Sequence, residues 1–215
     1  MFNTIFPKIH KEGYKFLAIS ILITFVVLFF SKFLGIIFIL ITVWVYFFFR
    51  DPERFSIEDD SFLVSPADGL IIDVSEKPGP EELRLENITY TKISIFMNVF
   101  NCHVNRTPLS GKIEEIYYKP GKFFNASLDK ASEDNERNYF KIKDTDNNDI
   151  IVVQIAGLVA RRIVCESNKD QELKQGERIG MIRFGSRADV YYENYEPLVK
   201  VGQKAISGET LLAKK

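Results

Sequence analysis

Two apolar runs near the N-terminus constrain this chain more than any other feature. Phe16 to Phe30 is apolar except for Ser20 and Thr24, Ser31-Lys32 interrupts it, and Phe33 to Phe49 resumes it with Gly35 near its start. As one straight helix these 34 residues would reach about 50 Å, well beyond a bilayer core of about 30 Å. Each run alone is slightly short for a span. The break therefore predicts two short helices folded as a hairpin, which either crosses twice or dips in and returns. A cleaved signal peptide fits less well, because a second apolar run follows and no small-residue cleavage site does. A soluble core helix fits poorly too, since Ile36 to Phe49 is apolar all round. Lys8, Lys11 and Lys15 precede the hairpin and Arg50 and Arg54 follow it. That bias places both ends, and the domain that follows, on the cytoplasmic side of the cell membrane. Trp44, Tyr46 and Phe47 to Phe49 suit an interfacial aromatic belt, or simply face lipid.

The remainder differs in character. Residues 1–49 read as a membrane-anchoring hairpin and residues 50–215 as one domain rich in short strands. Ile93, Ile95 and Met97 alternate with their neighbours; Ile113, Ile116-Tyr117, Ile150 to Ile155, Ile179 to Phe184 and Val190 to Tyr192 form further apolar segments between turn residues. The fold class is mainly β, a sandwich or barrel-sandwich hybrid. Ala126 to Glu136 reads as one short helix or a loop. There is also an internal echo. Pro66-Ala67-Asp68-Gly69 and Pro108-Leu109-Ser110-Gly111 lie 42 residues apart, and each is followed at the same spacing by Pro-Gly. Each unit predicts turn, strand, turn. A looser echo relates Gly176 to Gly180 with Gly202 to Gly208.

With 28 basic and 29 acidic residues, the chain lacks the basic excess of a nucleic-acid binder. Cys102 and Cys165 make no disulfide framework and sit in apolar runs; buried thiols are the expectation, with a single disulfide left open. One domain histidine and two scattered cysteines give no metal-ligand spacing, and no phosphate-binding glycine motif occurs. His10 precedes the hairpin, so His103 is the domain's histidine, either a structural hydrogen-bonder at a strand end or the residue that supplies any acid–base work by histidine. Asp68 lies in a tight turn, where an aspartate bonds its own backbone or orients a histidine. Ser186 follows Gly185, either as an ordinary hairpin pair or as a reactive serine, although Ala188 rules out a Gly-x-Ser-x-Gly elbow. Arg161-Arg162 is surface charge or a phosphate partner.

In combination these segments say more. In order they are the hairpin, Phe48-Phe49-Arg50-Asp51-Pro52-Glu53-Arg54, Ser65 to Gly69, His103-Val104-Asn105-Arg106-Thr107-Pro108, Asn135-Glu136-Arg137, Ile155 to Ile163, and Gly176 to Arg187. The series resembles the phosphatidylserine decarboxylase proenzyme family, in its short form, over essentially the whole chain. The longer branch of the family has Leu-Gly-Ser-Thr at its cleavage site, where this chain has Phe184-Gly185-Ser186-Arg187. The resemblance implies self-cleavage between Gly185 and Ser186, giving a β-chain, 1–185, and an α-chain, 186–215, that stay associated. It implies a covalent pyruvoyl group derived from Ser186, with His103 assisting and Asp68 orienting it. It further implies a phospholipid substrate, phosphatidylserine, converted to phosphatidylethanolamine, and a homodimer. Three rival readings remain at this point: a tethered scaffold, a membrane serine hydrolase using Ser186, His103 and Asp68, and a decarboxylase of another serine-headed lipid.

Overall fold

The structure is a computed structural model describing residues 6–124, 126–127, 134–157, 162–183 and 186–215. It divides into two compact units. The first holds residues up to Glu53 together with Phe100–His103, and the second holds Arg54–Val99 and Val104–Lys215.

The first unit is the expected hairpin. Strand β1 (Lys8–Ile9) leads into helix α1 (Gly13–Phe30); helix α2 (Lys32–Phe48) leads into β2 (Arg50–Asp51), which pairs antiparallel with β1 and closes the base. Ser31 makes the break. Its backbone is extended, and its hydroxyl accepts the Leu34 N–H, so it ends one helix and caps the next. The helices are held by more than apolar contact. The Ser20 and Thr42 hydroxyls lie 2.6 Å apart, those of Thr24 and Thr42 2.8 Å, and Thr24 also donates to the Ser20 carbonyl. Hydroxyls that satisfy one another remove the cost of polar groups in an apolar setting. Gly35 admits Leu28, whose side chain occupies the place of a Cβ. Among the described residues, only α1 is long and apolar enough to cross a membrane; α2, one residue shorter, is apolar as well. Phe48 and Phe49 are buried and stacked edge to face, so they belong to this unit's core and not to a lipid-facing belt.

The second unit is mainly β. Its strands are β3 (Phe62–Val64), β4 (Gly69–Pro78), β5 (Thr89–Met97), β6 (Val104–Arg106), β7 (Gly111–Lys119), β8 (Arg137–Lys143), β9 (Asp149–Ile155), β10 (Arg162–Cys165), β11 (Glu172–Leu173), β12 (Arg178–Arg183), β13 (Ser186–Tyr192), β14 (Glu196–Pro197), β15 (Lys204–Ala205) and β16 (Leu211–Lys214). Eight form one antiparallel sheet in the order β11-β7-β8-β9-β13-β5-β4-β15, and two three-stranded sheets have the orders β10-β12-β6 and β14-β16-β3. The period of two explains the packing. Ile150 and Val152 join Ile93, Ile95, Val190 and residues of the small sheets in the main core; Ile151, Val153 and Ile155 face the other way, into a second cluster with Leu83, Leu85, Tyr90 and Tyr139.

The echo in the sequence is an echo in the fold. Read from its two ends, the large sheet pairs β11 with β15, β7 with β4, β8 with β5 and β9 with β13. Strands β4 and β7 both start at the glycine of Pro-x-x-Gly, and both carry a register shift two residues in, between Ile71 and Asp73 and between Ile113 and Glu115. The halves exchange backbone bonds reciprocally: Val64 N–H to the Pro108 carbonyl at 2.9 Å, Arg106 N–H to the Pro66 carbonyl at 3.0 Å. The looser echo of Gly176 to Gly180 with Gly202 to Gly208 holds in one respect, the first glycine of one segment matching the last of the other. Gly176 and Gly208 adopt the left-handed region at φ of 78° and 77°, where a side chain would be strained.

Other details depart from expectation. Of the Ala126 to Glu136 stretch, residues 128–133 lie outside the described set, and Ala126, Ser127 and Asp134 are turn, not helix. Cys102 is buried but Cys165 is exposed, at the end of β10; the two do not form a disulfide.

Candidate functional site

Ser186 is the first residue of β13, a strand flanked on both sides. It pairs with Met97 of β5, while its neighbour Arg187 pairs with both Phe96 and Ile155. The side chain is fully buried, and its hydroxyl donates to the Met97 Sδ at 3.7 Å. A thioether is a weak acceptor, so this bond restrains the hydroxyl only lightly. Gly185 lies outside the described residues. Arg187 is buried against Asp189, with Nε to Oδ1 at 2.6 Å and Nη2 to Oδ2 at 3.0 Å, and it donates to Ser94 Oγ at 2.9 Å. This bidentate pairing offsets the cost of taking both charges from water, and it fixes the strand immediately after the serine.

Asp68 is nearly buried in its turn. Its carboxylate takes Arg54 Nη2 at 3.2 and 3.0 Å and the Ser207 N–H at 2.8 Å. The turn expectation thus gave the right kind of bond, to backbone, but with a partner far along the chain. Arg54 was not anticipated as its ion-pair partner, because no local pattern links residues 54 and 68.

His103 belongs to the first unit. Arg50 fixes that segment by donating to the carbonyls of Phe47 and Phe100, and Cys102 donates to the Arg50 carbonyl. The imidazole lies against the Phe48 ring, centroids 4.3 Å apart. Its Nδ1 is 3.0 Å from the Asn101 carbonyl. A carbonyl only accepts, so Nδ1 carries the proton and Nε2 presents a lone pair. Nε2 is buried without a hydrogen-bond partner among the described residues. Burial pushes the imidazole down to about 3, with the nearby Arg50 charge acting the same way and the Asn101 bond opposing. His103 is therefore neutral at physiological pH, in the tautomer that a base requires.

Arg161 lies outside the described residues. Arg162 opens β10, is exposed, and stands directly opposite Arg183 of β12. Two like charges side by side on adjacent strands repel unless an anion or acidic group answers them. Arg183 was missed because a single arginine near a strand end carries no pattern.

A mainly β unit that buries a serine at the start of an inner strand, in a chain that opens with an apolar hairpin, narrows the class; comparison with known proteins supplies the family. The family model described as "Phosphatidylserine decarboxylase" matches residues 41–213. The chain is 71% identical over its full length, and that of the relative, to the phosphatidylserine decarboxylase proenzyme of Pelagibacter ubique. It is 53% identical to that of Ruegeria pomeroyi, covering 99% of this chain and 98% of the relative, and 49% identical to that of Rickettsia typhi, covering 99% and 92%. This chain belongs to the phosphatidylserine decarboxylase family.

Proposed function

We propose that the chain is a self-processing carboxy-lyase that converts phosphatidylserine to phosphatidylethanolamine at the cytoplasmic face of the cell membrane. The observation that carries this reading is full-length identity of 71% to a phosphatidylserine decarboxylase proenzyme, with the Gly185-Ser186 pair present.

In processing, His103 Nε2 takes the Ser186 hydroxyl proton and Ser186 Oγ attacks the Gly185 carbonyl carbon. The Gly185–Ser186 amide breaks as an ester forms. Loss of the Ser186 Cα proton then expels the Gly185 carboxylate by β-elimination. Water replaces the nitrogen left on residue 186, which departs as ammonia. Asp68 is assigned a charge-balancing role, while the Asn101 carbonyl on Nδ1 sets the orientation of His103. Burial of Ser186 keeps water from the ester before elimination, since hydrolysis would return a plain serine. The surroundings suit an uncharged group at residue 186: the side chain is buried and its recorded partner is a thioether. A pyruvoyl group there would supply a carbonyl for the substrate amine and a sink for the electrons released with carbon dioxide. Ser186 would itself become this group, joined to the chain through the Arg187 nitrogen, and Arg161, Arg162 and Arg183 are the proposed partners of the lipid phosphate.

Two further features support the reading. Strand β13 lies between β5 and β9, and β15 and β16 pair with β4 and β3, so an α-chain of residues 186–215 would stay with the β-chain. A hairpin in the bilayer would hold the site at head-group depth, avoiding the cost of lifting acyl chains into water, about 0.8 kcal/mol per CH₂. The homodimer is proposed from the resemblance and is tested by light scattering in detergent.

The decisive experiment is intact mass under denaturing conditions, with Ser186→Ala alongside. Two chains split at 185/186, the smaller bearing a pyruvoyl mass, and an uncut variant are expected. A single wild-type chain would overturn the pyruvoyl reading. His103→Ala should leave the proenzyme uncut; normal processing in that variant would remove His103 from the cleavage step.

A further inference from the structure

Three amide side chains form a buried line behind Ser186. Asn138 Nδ2 donates to Gln154 Oε1 at 3.1 Å, Gln154 Nε2 donates to Asn105 Oδ1 at 2.9 Å, and Asn105 Nδ2 reaches the Pro66 carbonyl at 3.3 Å and Met97 Sδ at 3.8 Å. Asn105 and Gln154 are fully buried and Asn138 nearly so. The direction of the line is forced. Pro66 offers a carbonyl, which can only accept, so the NH₂ of Asn105 faces it and its oxygen faces Gln154. Gln154 must then donate, which turns its oxygen to Asn138.

The end of this line meets the serine. Met97 Sδ receives both the Asn105 N–H and the Ser186 O–H. A methionine side chain is unbranched and changes rotamer easily. Left to itself, Met97 would give the serine no fixed direction. The same Asn105 amide holds the carbonyl of Pro66, two residues before Asp68. One side chain therefore registers the end of β5, where the serine hydroxyl rests, against the turn that carries the carboxylate.

We propose that Asn105, oriented by Gln154 and Asn138, is a positioning residue for self-cleavage, acting through the Met97 sulfur on the Ser186 hydroxyl. This rests on the reading of Ser186 as the cleavage serine. Among the described residues, none of the three amides is hydrogen-bonded to the Ser186 hydroxyl itself. Their effect is on the fraction of time the hydroxyl spends in the attacking geometry, and misplacement of that kind can lower a rate by about 100-fold.

The test is a double-mutant cycle on the rate of chain cutting in the full-length proenzyme, followed by intact mass, with melting temperature measured on the uncut Ser186→Ala background. Met97→Leu conserves volume and removes the acceptor; it should slow cutting by about tenfold, the value of one modest hydrogen bond. Asn105→Leu should slow it by about tenfold as well, since its effect runs through the same sulfur. The double variant should be no slower than Asn105→Leu, because both act through one sulfur. Effects on rate that multiply in the double variant, or a wild-type rate in Met97→Leu, would overturn the proposal. If Asn105→Leu fails to fold, Gln154→Glu replaces it. A glutamate donates to Asn105 Oδ1 only when protonated, so cutting should be slow at neutral pH and recover as the pH falls; a pH profile parallel to wild type would overturn the proposal. Failure of wild type to cut would count against the Ser186 reading itself, which is a separate result.

Discussion

The two halves of the large sheet are built alike and equipped differently. At the position 42 residues after Asp68 stands Ser110, and both do the same structural work. Asp68 Oδ1 accepts the Ser207 N–H at 2.8 Å, and Ser110 Oγ accepts the Gln175 N–H at 3.2 Å, the two donors being 32 residues apart like the glycines that follow them. A hydroxyl is thus sufficient to close this turn. What the carboxylate adds is charge, matched by Arg54 at 3.0 Å. The same holds at the start of the two short strands β3 and β6: Ser61 precedes one and His103 the other. In both places one half has a hydroxyl where the other has a titratable group. The duplicated scaffold explains the turns; it does not explain the charge, and that excess is where chemistry is expected.

The most severe way to break the contrast is Asp68→Ser, which copies the opposite half. The turn bond survives, but Arg54, with 17% side-chain exposure, loses its partner. Breaking a largely buried pair costs about 3 kcal/mol. Self-cleavage should be lost while circular dichroism stays native; full processing would show that charge at residue 68 is dispensable. Next comes His103→Ser, read by melting temperature against pH. Folded His103 titrates near 3 and a free histidine near 6.5, so the unfolded chain binds its proton first as the pH falls. Stability from this group is fully present above the higher value and declines below it, by up to about 1.4 kcal/mol per pH unit. The variant should flatten that part of the profile, and an unchanged slope would contradict the burial of a neutral imidazole. Smaller again are the glycines. Gly176→Ala and Gly208→Ala share the strain of positive φ, about 1 kcal/mol. Gly176→Ala adds a clash, because its Cβ would fall 1.8 Å from Ser56 Oγ, while that of Gly208 finds nothing nearer than Arg106 Cδ at 3.1 Å. Chemical denaturation should rank Gly176→Ala as the worse. The mildest is Ser110→Ala, expected to cost about 1 kcal/mol for one hydrogen bond with processing untouched.

What the sequence made legible was local. Ser31 marks the hairpin turn because a capping residue in an apolar run has few other uses. The strands around residues 93–97 and 150–155 follow from alternation and β-branching, and the duplication was visible because Pro and Gly record turn geometry directly. Ser186 and Gly185 stood out only as members of an ordered series of motifs. Long-range pairing was not legible. Arg54 reads as a surface charge until Asp68 is placed beside it. Asn138 and Gln154 look like the outward-facing polar residues of half-buried strands, yet they are interior because both faces of the large sheet are covered. Cys165 misled in the opposite direction: its apolar neighbours suggested burial, but it ends an exposed strand.

The place of β13 bears on how such a molecule can be made. A chain cut just before Ser186 would yield a 30-residue fragment whose first strand is hydrogen-bonded along both edges. Neither piece alone could complete the sheet, and a gap in its middle would expose two unpaired edges prone to aggregation. Co-expressing the two pieces from separate messages should therefore give poor complementation, whereas the uncut precursor carries the strand into place at high effective concentration. On this account the zymogen is an assembly device as well as a latent enzyme: synthesis as one chain delivers a two-chain product that could hardly be put together in any other order.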